Sequence, residues 1–152
     1  MAETIIDRET FISRLTALCV RSTVHTFPRR RSDRAILLKS IAQRLDAARG
    51  STEGEVNAAI QDWLQTIAPA LETDHVSLRR YLVDEGFLER SADGATYRPA
   101  AGAGAAVTFA GEVDAIDVRE VVSAVRRTVA ARREEHRRRS PGESGGETAP
   151  GT

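Results

Sequence analysis

Asp74-His-Val-Ser-Leu-Arg-Arg-Tyr-Leu-Val-Asp-Glu-Gly-Phe-Leu-Glu-Arg-Ser-Ala-Asp-Gly-Ala-Thr-Tyr-Arg98 is the stretch on which the fold turns. Asp74 is a good N-cap, because its carboxylate can accept from the orphan N–H groups of a first helical turn. Gly86 supplies the left-handed residue that ends a helix, so His75 to about Glu85 reads as a short helix. Beyond it, two short runs flank Asp93-Gly94, a dipeptide suited to a tight turn, and a β-hairpin is expected there.

Working back toward the N-terminus, Thr52-Glu-Gly-Glu55 is a capping box, with hydroxyl and carboxylate satisfying backbone N–H groups reciprocally. Val56, Ile60, Trp63 and Ile67 then recur at helical spacing until Pro69 stops the run. A preceding helix is expected from about Ser32 to Asp46, with Leu37, Leu38, Ile41 and Leu45 facing inward and Gly50 in the turn that follows. Residues 7–20 place Phe11, Leu15, Leu18 and Cys19 on one face of a further helix, and Ser22–Phe27 reads as a short strand before Pro28.

Three helices closed by a hairpin are the arrangement of a winged helix-turn-helix. The expected fold is therefore mainly α with a small β-hairpin, a winged helix-turn-helix plus an N-terminal and a C-terminal helix. The organisation read from the chain is an N-terminal helix (1–22), a winged-helix-like domain (23–99), an Ala/Gly-rich linker (100–113), a C-terminal amphipathic helix (114–139) and a disordered tail (140–152). In the C-terminal helix, Val118, Val122, Val125 and Val129 alternate steps of four and three. That is the seam spacing of a coiled coil, and it makes a homodimer through these valines an expectation.

At 152 residues the chain has room for one domain with appendages. One cysteine allows no internal disulfide and no Cys-based zinc site, which fits a reducing cytoplasm. Residues 1–7 lack the basic start and apolar core of a signal peptide, and no stretch approaches a membrane-spanning run. The 22 basic and 22 acidic side chains cancel, but they are segregated. Residues 21–49 carry eight basic side chains against Asp33 and Asp46. Residues 50–75 carry five acids and no base, and residues 119–139 carry eight arginines against three glutamates. A polyanion responds to such local patches more than to the total.

Four blocks in order, Phe27-Pro-Arg-Arg-Arg-Ser-Asp-Arg-Ala-Ile-Leu-Leu38, Thr52-Glu-Gly-Glu-Val-Asn57, Asp74 to Arg90 and Asp93-Gly-Ala-Thr-Tyr97, resemble a bacterial domain-of-unknown-function family. Its members occur alone or attached to helix-turn-helix regulators, including ArsR-type ones. The resemblance implies a winged-helix-like fold and a regulatory setting, and it supplies no biochemical activity. The sequence departs from the pattern at Ser51, where an aromatic is expected, and in a longer connection over 68–73.

On these grounds double-stranded DNA is the expected partner of a transcriptional regulator or accessory. Arg80 and Arg79, with Ser77 beside them, would reach base edges or phosphates from the helix after Asp74. The bland alternative is that they are solvated, or pair with Glu85 or Asp74. Arg29, Arg30 and Arg31 before a helix start would hold backbone phosphate or form a solvated basic turn. Arg90 and Arg98 suit a wing following the backbone, though two arginines on an exposed hairpin are ordinary. Arg132–Arg139 is either a nonspecific backbone clamp or a soluble helix end.

Asp74-His75 reads as a cap and a partly buried packing residue under the wing rather than a metal site, which needs three or four ligands. No catalytic arrangement, cofactor motif or metal set emerges, and an enzyme is not expected. The rival readings are a protein–protein interaction module that keeps the winged-helix scaffold without DNA, and a small-molecule or metal sensor using His75.

Overall fold

The computed structural model describes residues 4–21, 25–100 and 107–139. Asp7 caps the first helix, accepting from Thr10 N at 2.8 Å. This helix, α1 (Arg8–Thr16), buries Phe11 and Leu15. Thr16 bonds back to the Ile12 carbonyl, and the chain widens into a π-helical turn over Ala17–Arg21. Residues 22–24 of the expected strand lie outside the described residues, and 25–27 are not a strand. Instead the Phe27 ring packs 5.2 Å from that of Tyr81.

The next helix, α2 (Arg31–Ala42), is central. Ala35, Ile36, Leu37, Leu38, Ile41 and Ala42 are all buried, because neighbouring elements surround it on several sides. Its buried Ser40 hydroxyl accepts from the Trp63 indole N–H at 2.9 Å. The helix stops short of the expected Asp46. There the Asp46 carboxylate takes the Ala48 and Arg49 N–H groups and folds the chain into a turn, leaving Leu45 half-buried.

Helix α3 (Glu53–Thr66) starts at the expected capping box, and Val56, Ile60 and Trp63 enter the core with Ile67 beyond its end. Helix α4 (His75–Asp84) starts on Asp74, which accepts from Ser77 N at 2.7 Å. It buries Leu78 and Leu82 and ends with Gly86 at φ 82° and a Phe87 N–H to Leu82 carbonyl bond of 2.8 Å, a Schellman closure. The hairpin follows as β2 (Leu88–Arg90) and β3 (Tyr97–Pro99), antiparallel with Glu89 opposite Arg98. Ser51, in the turn between α2 and α3, forms an antiparallel bridge to Tyr97 and adds a one-residue strand to the hairpin.

Two expectations are corrected at the ends of the chain. Residues 107–113 are not linker. Strand β4 (Val107–Phe109) pairs in parallel with an unforeseen N-terminal strand, β1 (Thr4–Ile6), and Gly111–Ala115 forms a 3-10 turn. Lys39 to Asp114 at 2.6 Å and Gln43 Nε2 to the Ile116 carbonyl at 2.9 Å hold this segment on α2. Residues 101–106 of the expected linker lie outside the described residues, as does the 140–152 tail.

The last helix, α5 (Val118–Arg139), then begins four residues later than expected. Val118 and Val122 are buried in the chain's own core rather than offered to a second copy, and Val125 and Val129 are only half-buried. The valine spacing is the spacing of a helix laid against its own domain. Arg126 donates to the Thr66 and Ile67 carbonyls, closing the C-terminus of α3 with a cation. Phe11, Leu15, Trp63, Leu82, Val113 and Val122 all belong to one core cluster, so the terminal segments and the central helices share a single interior. No helix among the described residues is long and apolar enough to cross a membrane.

Candidate nucleic-acid interface

With Leu78 and Leu82 turned inward, α4 exposes Val76, Arg80, Val83 and Asp84. That is helical spacing of four, three and one, a single outward ridge. The Arg80 side chain has no hydrogen-bond or ion-pair partner among the described residues. Arg79 differs: half-buried, it donates to the Asn57 side-chain oxygen and is thereby held against α3. Ser77 is also half-buried, its N–H spent on the Asp74 cap. That bond, backbone to carboxylate, holds the Asp74 carboxyl below the usual carboxylate range.

The structure brings Arg79, Arg80 and Arg90 together. They line one groove of about 220 Å³ between α4 and the hairpin, with Tyr97 and Glu53 on its far wall. Arg90 lies with its guanidinium 5.7 Å from the Tyr97 ring centroid and donates to the Gly94 carbonyl at 3.3 Å. The Tyr97 hydroxyl donates to Glu53 at 3.2 Å, which fixes a carboxylate in the groove. Asp84 adds a second acid at the edge, so the groove is mixed in charge rather than a uniform basic track. Arg98 is exposed and shares a smaller hollow of the hairpin with Arg90 and Glu89.

Arg29, Arg30 and Arg31 stand elsewhere. All three are exposed at the start of α2, where Arg30 occupies the N-cap position without a side-chain cap. Arg29 and Arg31 line a cavity of about 720 Å³ whose wall includes Val83 and Asp84 of α4. The groove with Arg79, Arg80 and Arg90 and the cavity with Arg29 and Arg31 therefore meet at Val83 and Asp84, which line both.

A residue that sequence reasoning passed over organises this region. The Arg34 guanidinium lies 4.9 Å from the Phe27 ring centroid and 4.8 Å from that of Tyr81. It pairs with both oxygens of Glu85 and donates to the Pro28 carbonyl at 3.1 Å. One side chain thus pins the approach to α2 against the end of α4, and the Phe27-Pro-Arg-Arg-Arg-Ser-Asp-Arg34 block gains a physical reason. Asn57, at the end of the Thr52 block, was missed for the same reason: its partner is distant in sequence.

His75 is half-buried as expected and sits beside Gln61 of α3, its Nδ1 3.3 Å from the Gln61 Nε2. Among the described residues no group of His, Cys, Asp or Glu side chains could hold a metal ion. Burial pushes the pKa of the Cys19 thiol up to about 12, with the Arg126 charge opposing it, which leaves a protonated thiol packed, half-buried, against the core.

A family model described as "Uncharacterized protein conserved in bacteria (DUF2087)" matches residues 23–99, half of the chain. No curated protein and no solved structure matches significantly. The matched span opens just before Phe27 and closes with β3, so it contains α2, α3, α4, the hairpin and every arginine of both groups.

Proposed function

The chain belongs to this bacterial family of conserved proteins, and from that premise we propose that it is a winged-helix DNA-binding protein, acting without catalysis in the cytoplasm as a transcriptional regulator or as an accessory to one. The order helix, bridge strand, helix, helix, strand, strand is that of a winged helix-turn-helix, with Ser51 as the short strand between its first two helices. In such folds the third helix lies in the major groove and the hairpin tracks the backbone.

The observation that carries the reading is Arg80, unpaired on the exposed ridge of α4 and sharing a groove with Arg90 of the hairpin. Arginine reads a guanine edge bidentately. Val76 and Val83 on the same ridge offer apolar contact to thymine methyls, and Asp84 can accept from a cytosine amino group. Arg79, tethered to Asn57, is suited to a phosphate on the groove's inner side, with Arg90 and Arg98 placed for the hairpin's backbone contacts.

Fluorescence anisotropy on random-sequence duplexes over a salt series tests this. Binding at low salt that weakens steeply as salt rises, and weakens about tenfold or more in Arg79→Ala plus Arg80→Ala, is expected. No binding at low salt, or an unaffected double variant, rejects it.

One observation favours a protein-interaction module instead: Val76 and Val83 are 44% and 36% exposed, seven residues apart on one ridge. Pull-down of a protein partner that Val76→Asp abolishes, with no nucleic acid recovered, would decide for that reading.

A further inference from the structure

A cavity opens between the start of α2 and the end of α4. Its floor is apolar, formed by Ala35, Phe87 and Val107, all of them buried, with Val83 on the wall. Arg29 and Arg31 stand on its rim, exposed, their guanidinium groups without a hydrogen-bond or ion-pair partner among the described residues. At about 720 Å³ it has the size of small-molecule sites, which combine apolar walls with a few convergent polar groups.

Its charges set the ligand class. Arg34 is already committed to Glu85, so that pair is neutral toward a visitor. Asp84 is joined to neither free arginine, but by count the lining holds three arginines against Asp84 and Glu85, which leaves one net positive charge. A dianion would meet the Asp84 carboxylate without a matching cation, whereas a monoanion would not.

We infer that this cavity binds an amphipathic organic monoanion, a carboxylate whose apolar body lies on Phe87 and Val107 and whose charged end is held by Arg29 and Arg31. The site stands independently of DNA binding. Its regulatory meaning rests on the function proposed above, because Val83 and Asp84 are shared with the α4 groove and a ligand there touches the turn that DNA would meet.

The test is an amide chemical-shift titration of the full chain with 2-naphthoate, no DNA present, beside the neutral 2-naphthalenemethanol. The inference expects saturable shifts at residues 29–31, 83–87 and 107. It expects about tenfold weaker binding for the neutral probe, and about tenfold weaker naphthoate binding for Arg29→Gln plus Arg31→Gln. Both arginines are exposed, so that double variant keeps its melting temperature. Absent shifts at these positions, equal binding of the two probes, or an unaffected double variant would overturn it. Because no duplex is in the tube, none of these results bears on the DNA reading, and a failed duplex titration leaves the ligand site standing.

Discussion

Ser51 and Tyr97 exchange both of their backbone hydrogen bonds, Ser51 N to the Tyr97 carbonyl at 2.8 Å and Tyr97 N to the Ser51 carbonyl at 2.7 Å. The bridge fastens the turn before α3 to β3, so the hairpin is held beside α4 rather than swinging on its two ends. Gly50 makes this approach possible. Its φ is +79°, and a Cβ there would stand 2.5 Å from Thr96 Cγ2 and 3.3 Å from Arg98 Cγ.

Gly50→Ala therefore combines a left-handed backbone penalty with a clash against the hairpin. A loss of about 1–3 kcal/mol is expected. Denaturant titration reads it as a lower midpoint, accompanied by faster amide exchange at Ser51 and Tyr97. A midpoint equal to that of the natural chain would show that the bridge does not organise the hairpin.

Arg34→Lys removes the planar group that stacks on Phe27 and Tyr81 while pairing with Glu85. An ammonium keeps the charge and loses the fork and the stacking. Because the pair is partly exposed, the expected cost is about 1–2 kcal/mol. Glu85→Gln, which leaves the ring contacts intact, costs less. The reverse order in urea midpoints would contradict the cage.

Much of the central fold was legible because its signals are local. The Thr52 capping box, the Asp74 cap, Gly86 and the Asp93-Gly94 turn each act within a few residues, and each lies where expected. The parallel pairing of Thr4–Ile6 with Val107–Phe109 was not legible. It joins two three-residue strands about a hundred residues apart, and one adjoins an Ala/Gly run that reads as linker. The site divides in the same way. Arg80 and Arg90 follow from helix and hairpin register, whereas the Arg79–Asn57 tether and the Arg34 cage depend on which helices meet.

The valines of α5 test the corrected reading of its seam. Val122 is fully buried within the chain, so Val122→Ala is expected to cost about 1–2 kcal/mol by cavity formation. Val129, about two turns further on and half-buried, is expected to cost about 0.5 kcal/mol or less on truncation. Thermal melts of the two variants separate these outcomes, and equal losses would return the stripe to a shared role.

Asp62 links three elements through Arg44 and Arg119. Its carboxyl is held below the usual carboxylate range by the Arg44 hydrogen bond first, then by the Arg44 charge and by Arg119. A depressed folded pKa contributes stability that is present above the unfolded value and lost as pH falls through the folded one. Asp62→Asn is thus expected to be less stable than the natural chain at pH 7, with the gap shrinking once the pH drops below the ordinary aspartate value of about 3.9 and closing as the lower folded pKa is passed. Urea midpoints followed downward from pH 7 check it, and a gap of constant size would contradict it.

Salt-dependent duplex affinity alone does not locate the contact, since the exposed Arg132–Arg139 end of α5 attracts any polyanion. The most direct measurement is amide chemical-shift mapping of the full chain titrated with a duplex at low salt. The account predicts perturbations concentrated in Val76–Asp84 and Leu88–Pro99, diminished by Arg80→Ala. Perturbations confined to residues 132–139, or none at all, would contradict it.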